Sequence, residues 1–355
     1  MVSAGLAGGG MERAVTNLAN YAAAQGHEVI ILNLFKTEVF FDLHPAIRLI
    51  WPEINRQQMH RLVYAARLIP YIRACIRNQQ PDAVLSFGEW FNGYVILATR
   101  GLRIPVFITD RMGPDMNLGW LLGTVRRLTY RYAAGIIAQT NTSKERLLKK
   151  TGSKNIKVIP NAVRPINLPN NPLKKEQIVV TCGRLSKEKG HIYLIRAFAL
   201  LKASDWVLHI IGDGNERRKL EVEAAHLGIE NKVIFHGHLK EFSEIYQKSS
   251  IFVLPSLYEG FPNALLEAMS TPIACISTNC IAGPSDIIEH NNNGILVELG
   301  SAEALREALE RLMKSEVLRN RLAAEAYKVR TRFDFEMLAE RYIEFLTNSI
   351  SHHSI

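Results

Sequence analysis

The chain lacks the features that would put it through a membrane or tie it together covalently. No apolar run approaches the roughly 18 residues of a transmembrane helix. The opening MVSAGLAGGGMER has no basic segment followed by an apolar one, so a secretory signal is not expected either. Only four cysteines occur in 355 residues, Cys75, Cys182, Cys275 and Cys280, and no two form a C-x-x-C pair. That argues against a disulfide framework and common zinc spacings, and it fits free thiols in a reducing, cytoplasmic compartment. The phosphate loop G-x-x-x-x-G-K-[ST] is absent, which excludes the usual nucleoside triphosphatase chemistry. Aromatic residues do not alternate with basic ones and no nucleic-acid motif is present, so nucleic acid is not an expected partner.

What is present is an ordinary globular composition, 47% hydrophobic and 22% charged, on a chain long enough for two domains. The net charge of +9 is uneven: residues 1–165 hold 21 Lys and Arg against 10 Asp and Glu. A basic half implies an anionic partner, and an acidic membrane surface suits it better than nucleic acid; a merely solvated basic face is the alternative. Arg61, Arg67, Arg73 and Arg77 lie around an apolar face of Leu62, Ala65, Leu68, Ile69 and Ile72, with Pro70 expected to kink the helix. Such a helix can lie in a membrane interface or pack in a core with its arginines in water. Arg126, Arg127 and Arg131 extend the basic character.

Apolar, β-rich runs alternate with helix-period segments, the pattern of α/β domains with parallel sheets. Strands are expected at 27–35, 83–87, 106–109 and 135–139, with helices at 61–78 and 121–133. A proline-rich, aperiodic stretch, 163–176, reads as a linker. A second series of strands follows at 178–182, 207–211, 232–235, 251–254 and 273–277, and 335–347 is an amphipathic helix. The expected organisation is an N-terminal domain 1–165, a linker 166–176, a C-terminal domain 177–332 and a crossover helix and tail 333–355. Two doubly wound, Rossmann-like domains facing a cleft would bind ligands beyond the carboxyl ends of their strands.

Three motifs follow strands. Gly8, Gly9 and Gly10 stand directly before a helical run, which suggests a tight turn, a positive φ or a backbone that a ligand approaches closely. Only Met1 to Ala7 precede them, short for a strand of about five residues with its loop; either that strand is short or Met1 lies inside the natural reading frame. Cys182-Gly183-Arg184-Leu185-Ser186-Lys187-Glu188-Lys189-Gly190 leads from a strand into a helix, a place for an anionic group. Pro255 to Met269 (PSLYEGFPNALLEAM) puts Pro262 in the first turn of a helix, Glu259 and Gly260 above it, and Glu267 inside it. Two carboxylates beside an anion-attracting helix end suit a ligand with both hydroxyls and phosphates.

EGFPNALLE, with seven residues between Glu259 and Glu267, resembles the E-x7-E signature of the retaining glycosyltransferases of family 4, the group 1 glycosyltransferases. GRLSKEKG, IIGDGNERRKLE (210–221) and GGGMERA resemble that family's other motifs in the right order. The resemblance implies a GT-B fold with the terminal helix packing back on the N-terminal domain, and a nucleotide-sugar donor held mainly by the C-terminal domain. Arg184 and Lys189 would bind the diphosphate and stabilise the leaving group. Glu259 would contact the sugar and Glu267 the ribose, while the backbone of Gly183, Gly212, Gly260, Phe261, Asn263, Ala264 and Leu265 would line the donor site. His238 and Leu239 would sit by the base, and Gly9 and Gly10 would approach the diphosphate or sugar from the N-terminal side.

The resemblance also implies that no metal or other cofactor is needed: no D-x-D occurs, and His236 and His238 have no third ligand in sight. Arg111 stands where many relatives carry histidine. A guanidinium cannot act as a base, so Arg111 would bind the diphosphate or the sugar and the acceptor-side base stays unassigned. Glu89 is a further candidate, against a solvated loop carboxylate. The expected activity is transfer from a UDP-hexose or UDP-N-acetylhexosamine to a glycan or polyprenyl-diphosphate-linked acceptor of surface polysaccharide or glycolipid synthesis, peripheral on the inner face of the plasma membrane. GDP-mannose transfer and a non-catalytic nucleotide-sugar-binding subunit are the alternatives.

Overall fold

The computed structural model describes residues 1–7, 9–53, 61–111, 113, 119–164, 166, 173–201, 205–239 and 241–351. The chain divides into two compact units, Met1–Asn161 with Phe335–Ile355, and Ala162–Asp334. The first change of unit falls four residues before the expected domain end at 165. Val163 already donates its backbone N–H to Phe333 O at 2.8 Å, and the end of the expected linker is fixed by Lys175 Nζ on Ser249 O at 2.7 Å. Its residues 167–172 lie outside the described ones.

In the first unit the chain runs through β1 (Val2–Ser3), α1 (Gly10–Ala24), β2 (Ile30–Asn33), β3 (Arg48–Ile50), α2 (Arg61–Gln79), β4 (Val84–Phe87), α3 (Glu89–Thr99), β5 (Val106–Asp110), α4 (Gly119–Thr129), β6 (Gly135–Ala138), α5 (Asn141–Thr151) and β7 (Ile156–Val158). Among the described residues its strands form a parallel sheet in the order β3-β2-β1-β4-β5-β6-β7. β4, β5 and β6 are buried along their whole length, because helices cover both faces of such a sheet. Among the polar residues there, Ser86 Oγ donates to Asn92 Oδ1 at 2.8 Å, and Asn92 Nδ2 donates to the backbone Thr109 O at 2.9 Å. α2 turns Tyr64, Leu68, Ile72 and Ile76, four residues apart, into the core. Its apolar face is therefore packing surface and not a membrane face, and the helix continues through Pro70; the side chains of Arg61, Leu62 and Ala65 lie outside the described ones.

The second unit carries β8 (Ile178–Cys182), α6 (His191–Ala199), β9 (Val207–Ile211), α7 (Arg217–His226), β10 (Val233–Gly237), α8 (Ser243–Lys248), β11 (Ile251–Leu254), α9 (Asn263–Met269), β12 (Ala274–Thr278), α10 (Pro284–Ile287), β13 (Ile295–Val297), α11 (Ala302–Lys314), α12 (Glu316–Ala326) and α13 (Val329–Arg332). Its parallel strands are ordered β10-β9-β8-β11-β12-β13. One core cluster runs from Val179 and Leu208 through Leu194 and Phe198 to Leu309 and Leu312. α14 (Phe335–Ser351) belongs to the first unit. Phe345 packs on Phe107 with ring centroids 5.5 Å apart, over Gly135, where a Cβ would stand 2.6 Å from the Phe345 ring.

Several strands depart from the sequence reading. β3, β7 and β13, three residues each, were not expected, since so short a half-exposed run has no readable period. β1 has two residues. The Met1 ammonium is buried and donates to Ile30 O at 2.6 Å. Burial pushes its pKa down to about 5. Beside it lies a cavity of about 460 Å³ lined by Met1, Val2, Ile30, Ile76, Leu85 and Ile343 among others.

Candidate active site

In the second unit the strand order reverses direction between β8 and β11, the point where open α/β sheets bind ligands. The loops leaving these two strands are sewn together by backbone. Leu257 N–H donates to Glu188 O at 2.8 Å, and Gly190, at φ +64°, comes so close that a Cβ there would sit 2.1 Å from Pro255 O. Only glycine meets both demands. Next door, Gly212 stands at φ +131° with its ideal Cβ 2.0 Å from Gly183 O, and Leu185 N–H donates to Asp213 O at 2.9 Å. The loops after β8, β9 and β11 are thus held as one surface.

On that surface Lys189 and Glu259 meet, 70 residues apart in sequence. Lys189 Nζ donates to both carboxylate oxygens of Glu259, each at 2.8 Å. Glu259 is only 6% exposed, and Ser256 Oγ gives its Oε1 a further hydrogen bond at 2.7 Å. Ser256 is itself fixed, since Thr278 Oγ1 at the end of β12 donates to Ser256 O at 2.5 Å. A buried carboxylate that accepts three hydrogen bonds from an ammonium and a hydroxyl stays oriented, and it neutralises Lys189. The pair marks its surroundings: burial and the Glu259 charge push the Cys280 thiol up to about 12. Burial first, and then the Lys189 charge, hold His191 down to about 4, so this buried imidazole at the start of α6 is neutral.

Arg184 is exposed on the same loop. Glu267 is half-buried in α9, and its charge adds to the burial that raises the Cys182 thiol to about 11; Lys189 acts on the same thiol in the opposite sense. Both therefore stand near the end of β8. Pro262 precedes α9 and is not in its first turn. The Asn263 N–H is spent on Phe261 O at 3.0 Å, and the Phe261 side chain is buried, its ring 6.4 Å from that of Phe333. Gly260 and Ala264 are half-buried and Leu265 is fully buried. His238 is exposed and Leu239 half-buried after Gly237, at the end of the edge strand β10 and so two strands from β8.

In the first unit Gly9 caps α1 with an extended φ of −158°, and nothing lies within 4 Å of where a Gly10 Cβ would be. Neither carries a positive φ, so that reason for the glycines does not hold for these two; Gly8 lies outside the described residues. Arg111 is held from two sides, donating to Asn161 Oδ1 and, at 3.3 Å, to Tyr342 OH of α14. Gln139 Nε2 shares the same Asn161 oxygen at 2.5 Å. Glu89 is not a solvated loop carboxylate: it is the first residue of α3, 5% exposed, and accepts the Arg111 backbone N–H. Behind it Arg126 donates to Asp110 at 2.5 Å, with both side chains buried. Burial first, then the Glu89 charge, push the Asp110 carboxyl up, against the pull of Arg126. Arg126 is consequently an internal ion-pair partner and not part of a basic surface. Thr278, Asn161 and Tyr342 had no signal in the sequence, because each acts through a partner at least 22 positions away; Ser256, three residues before Glu259, lies within the PSLYEGF stretch but carries no mark of its bond to that carboxylate.

A basic and acidic pair thus stands on glycine-shaped loops at the strand ends of a Rossmann-like unit, and the comparisons supply the class. Residues 164–329 match the family model "Glycosyl transferases group 1" and residues 8–165 match "Glycosyltransferase Family 4". The chain belongs to the group 1 glycosyltransferases and is a glycosyltransferase. It is 26% identical over 356 residues, 97% of each chain, to a Campylobacter jejuni enzyme named GalNAc-alpha-(1->4)-GalNAc-alpha-(1->3)-diNAcBac-PP-undecaprenol alpha-1,4-N-acetyl-D-galactosaminyltransferase. In structure it is similar to the lipopolysaccharide outer core galactosyltransferase WaaB in apo form, with TM-score 0.78, 21% identity and 98% of each chain covered. It is also similar to Anabaena Alr3699/HepE in complex with UDP, with TM-score 0.77, 18% identity and 98% and 99% covered. These likenesses fix the fold as two Rossmann-like domains of the GT-B class.

Proposed function

We propose that the chain transfers a hexosyl or N-acetylhexosaminyl unit from a UDP-sugar to a glycan or polyprenyl-diphosphate-linked acceptor, with retention at the anomeric carbon, in bacterial surface polysaccharide or glycolipid synthesis at the inner face of the membrane. The observation that carries this reading is the Lys189–Glu259 pair on the β8 and β11 loops. In it Arg184 and Lys189 take the diphosphate, Glu259 accepts from sugar hydroxyls and Glu267 from the ribose. The C1–O bond to the β-phosphate breaks as the acceptor oxygen bonds C1 on the same face, and the acceptor proton passes to the departing phosphate oxygen. Two cations placed where negative charge grows stabilise that step. The reading gives this task to the two side chains and not to a divalent ion, in keeping with the missing D-x-D. The relative that acts on an undecaprenyl-diphosphate-linked glycan and the UDP-bound fold neighbour support the acceptor and the donor.

A panel of UDP-, GDP- and ADP-sugars, assayed for donor hydrolysis with Glu259→Ala and Lys189→Ala beside the parent, tests it. Turnover of a UDP-sugar by the parent, lost in both variants, is expected. Turnover of GDP-mannose alone would give the mannosyltransferase alternative, and no donor turning over would sink the proposal.

A further inference from the structure

His191 opens α6 directly after the loop that carries Arg184 and Lys189, and it is 3% exposed. Its Nδ1 is buried with no hydrogen-bond partner among the described residues. Desolvating a ring nitrogen in this way destabilises the fold, and an apolar side chain of similar size would avoid the loss. The tautomer with its proton on Nε2 is the less costly one: it leaves only a lone pair at Nδ1, where the other would bury an N–H without an acceptor. The Nε2 edge faces Gly183 at the end of β8. Cε1 and Nε2 stand 3.8 and 4.0 Å from where a Gly183 Cβ would be, beside Lys189 Cδ at 4.0 Å.

Gly183 points the same way. Its φ is not positive, and the three atoms just named, all at ordinary contact distance, are the nearest that a Cβ would meet. Gly212 crowds the Gly183 carbonyl, but neither backbone angle nor packing calls for glycine at position 183 itself, in contrast to Gly190 and Gly212. What the missing methyl does is leave the Nε2 edge of His191 uncovered at the strand end, next to Lys189.

We propose that His191 is a further nucleotide-sugar-binding residue: its Nε2–H reaches past Gly183 and donates a hydrogen bond to an oxygen of the diphosphate that Arg184 and Lys189 take in the reading above, on which this assignment rests. A neutral donor suits the place. Arg184 and Lys189 already supply positive charge, and burial together with the Lys189 ammonium keeps the imidazole uncharged, so it adds a directed bond without a third repelling cation. Because α6 begins on His191, the partial positive charge of that helix end acts at the same spot. As the C1–O bond breaks, charge grows on the diphosphate and the hydrogen bond strengthens, so the contact favours the transition state over the ground state.

UDP binding to the full chain is measured by calorimetry for the parent, H191L, H191Q, G183A and G183A/H191L, with K189A as the reference for the donor site and melting temperatures taken on the same samples. H191L should weaken UDP about ten-fold while melting no lower than the parent, since an apolar side chain replaces an unpaired nitrogen. H191Q, whose amide N–H reaches about as far as Nε2–H, should recover most of the affinity. G183A should weaken UDP several-fold with little change in melting temperature, and it should add nothing in the H191L background. UDP bound as tightly by H191L as by the parent, equal losses in H191Q and H191L, an H191L melting temperature well below the parent's, or a G183A loss that persists in full in G183A/H191L would overturn the assignment. UDP binding that is intact in the parent and lost in K189A leaves the donor reading standing in those cases, whereas no binding by the parent overturns that reading and this assignment with it.

Discussion

Gly190→Ala and Gly228→Ala place the same methyl group at nearly the same backbone angle, φ +64° and +67°, in the same unit. An L-residue in this left-handed region costs about 1–2 kcal/mol at either site. The surroundings differ: nothing lies within 4 Å of a Cβ at Gly228, whereas at Gly190 it would stand 2.1 Å from Pro255 O and 3.1 Å from Pro255 C. Backbone atoms cannot rotate away, so the loop 183–190 must part from the loop 255–259. Overpacking of this kind adds about 1–3 kcal/mol. Urea unfolding should show Gly228→Ala down by about 1–2 kcal/mol and Gly190→Ala by about 2–5 kcal/mol. Because the parting displaces the loop that carries Lys189, the residue assigned to the diphosphate, UDP affinity by calorimetry should fall ten-fold or more for Gly190→Ala, about 1.4 kcal/mol, and stay unchanged for Gly228→Ala. Equal stability losses, or intact UDP affinity in Gly190→Ala, would refute the loop packing as the basis of the site.

Other perturbations follow from the buried charges. The Met1 amine has its folded pKa at about 5 against an ordinary 8.0, so between these values the unfolded chain binds more protons and stability rises with pH. It should lose about 3 kcal/mol from pH 8 to pH 5 on this account, and N-terminal acetylation should flatten that slope in thermal melts. His209, held at about 4 by burial and by His236, steepens the loss further below its ordinary 6.5. Arg126→Met leaves the Asp110 carboxylate buried alone and should cost about 3–5 kcal/mol, with Arg126→Met/Asp110→Leu recovering most of it in the same melts. Ser256→Ala removes one donor from the Glu259 carboxylate, worth about 1.5–3 kcal/mol; it should raise KM for the donor sugar more than it alters the melting temperature.

The architecture was legible where burial wrote it into residue type. β4, β5, β6, β8 and β11 are buried on both faces and read as apolar runs, and the glycines at 183, 190 and 212 mark loops that crowd one another. The pairing of Lys189 with Glu259 was not legible as a contact, because it depends on β8 and β11 being neighbours, a fact of sheet order. The arginines misled for a related reason. Arg67, Arg73 and Arg126 have the same charge in sequence, but tertiary structure decides that Arg126 is buried while Arg127, the next residue, is exposed. Glu89 reads as a loop residue because α3 starts on it behind Gly88 at φ +110°, with no capping side chain to announce the helix.

The most direct test of the central claim, that Lys189 and Glu259 form the donor site, is a calorimetric titration of UDP into the parent, Lys189→Ala and Glu259→Ala. The account predicts saturable binding by the parent, loss of at least ten-fold in affinity for Lys189→Ala, and a much smaller change for Glu259→Ala, whose carboxylate meets the sugar that UDP lacks. UDP binding as tight in Lys189→Ala as in the parent would contradict it.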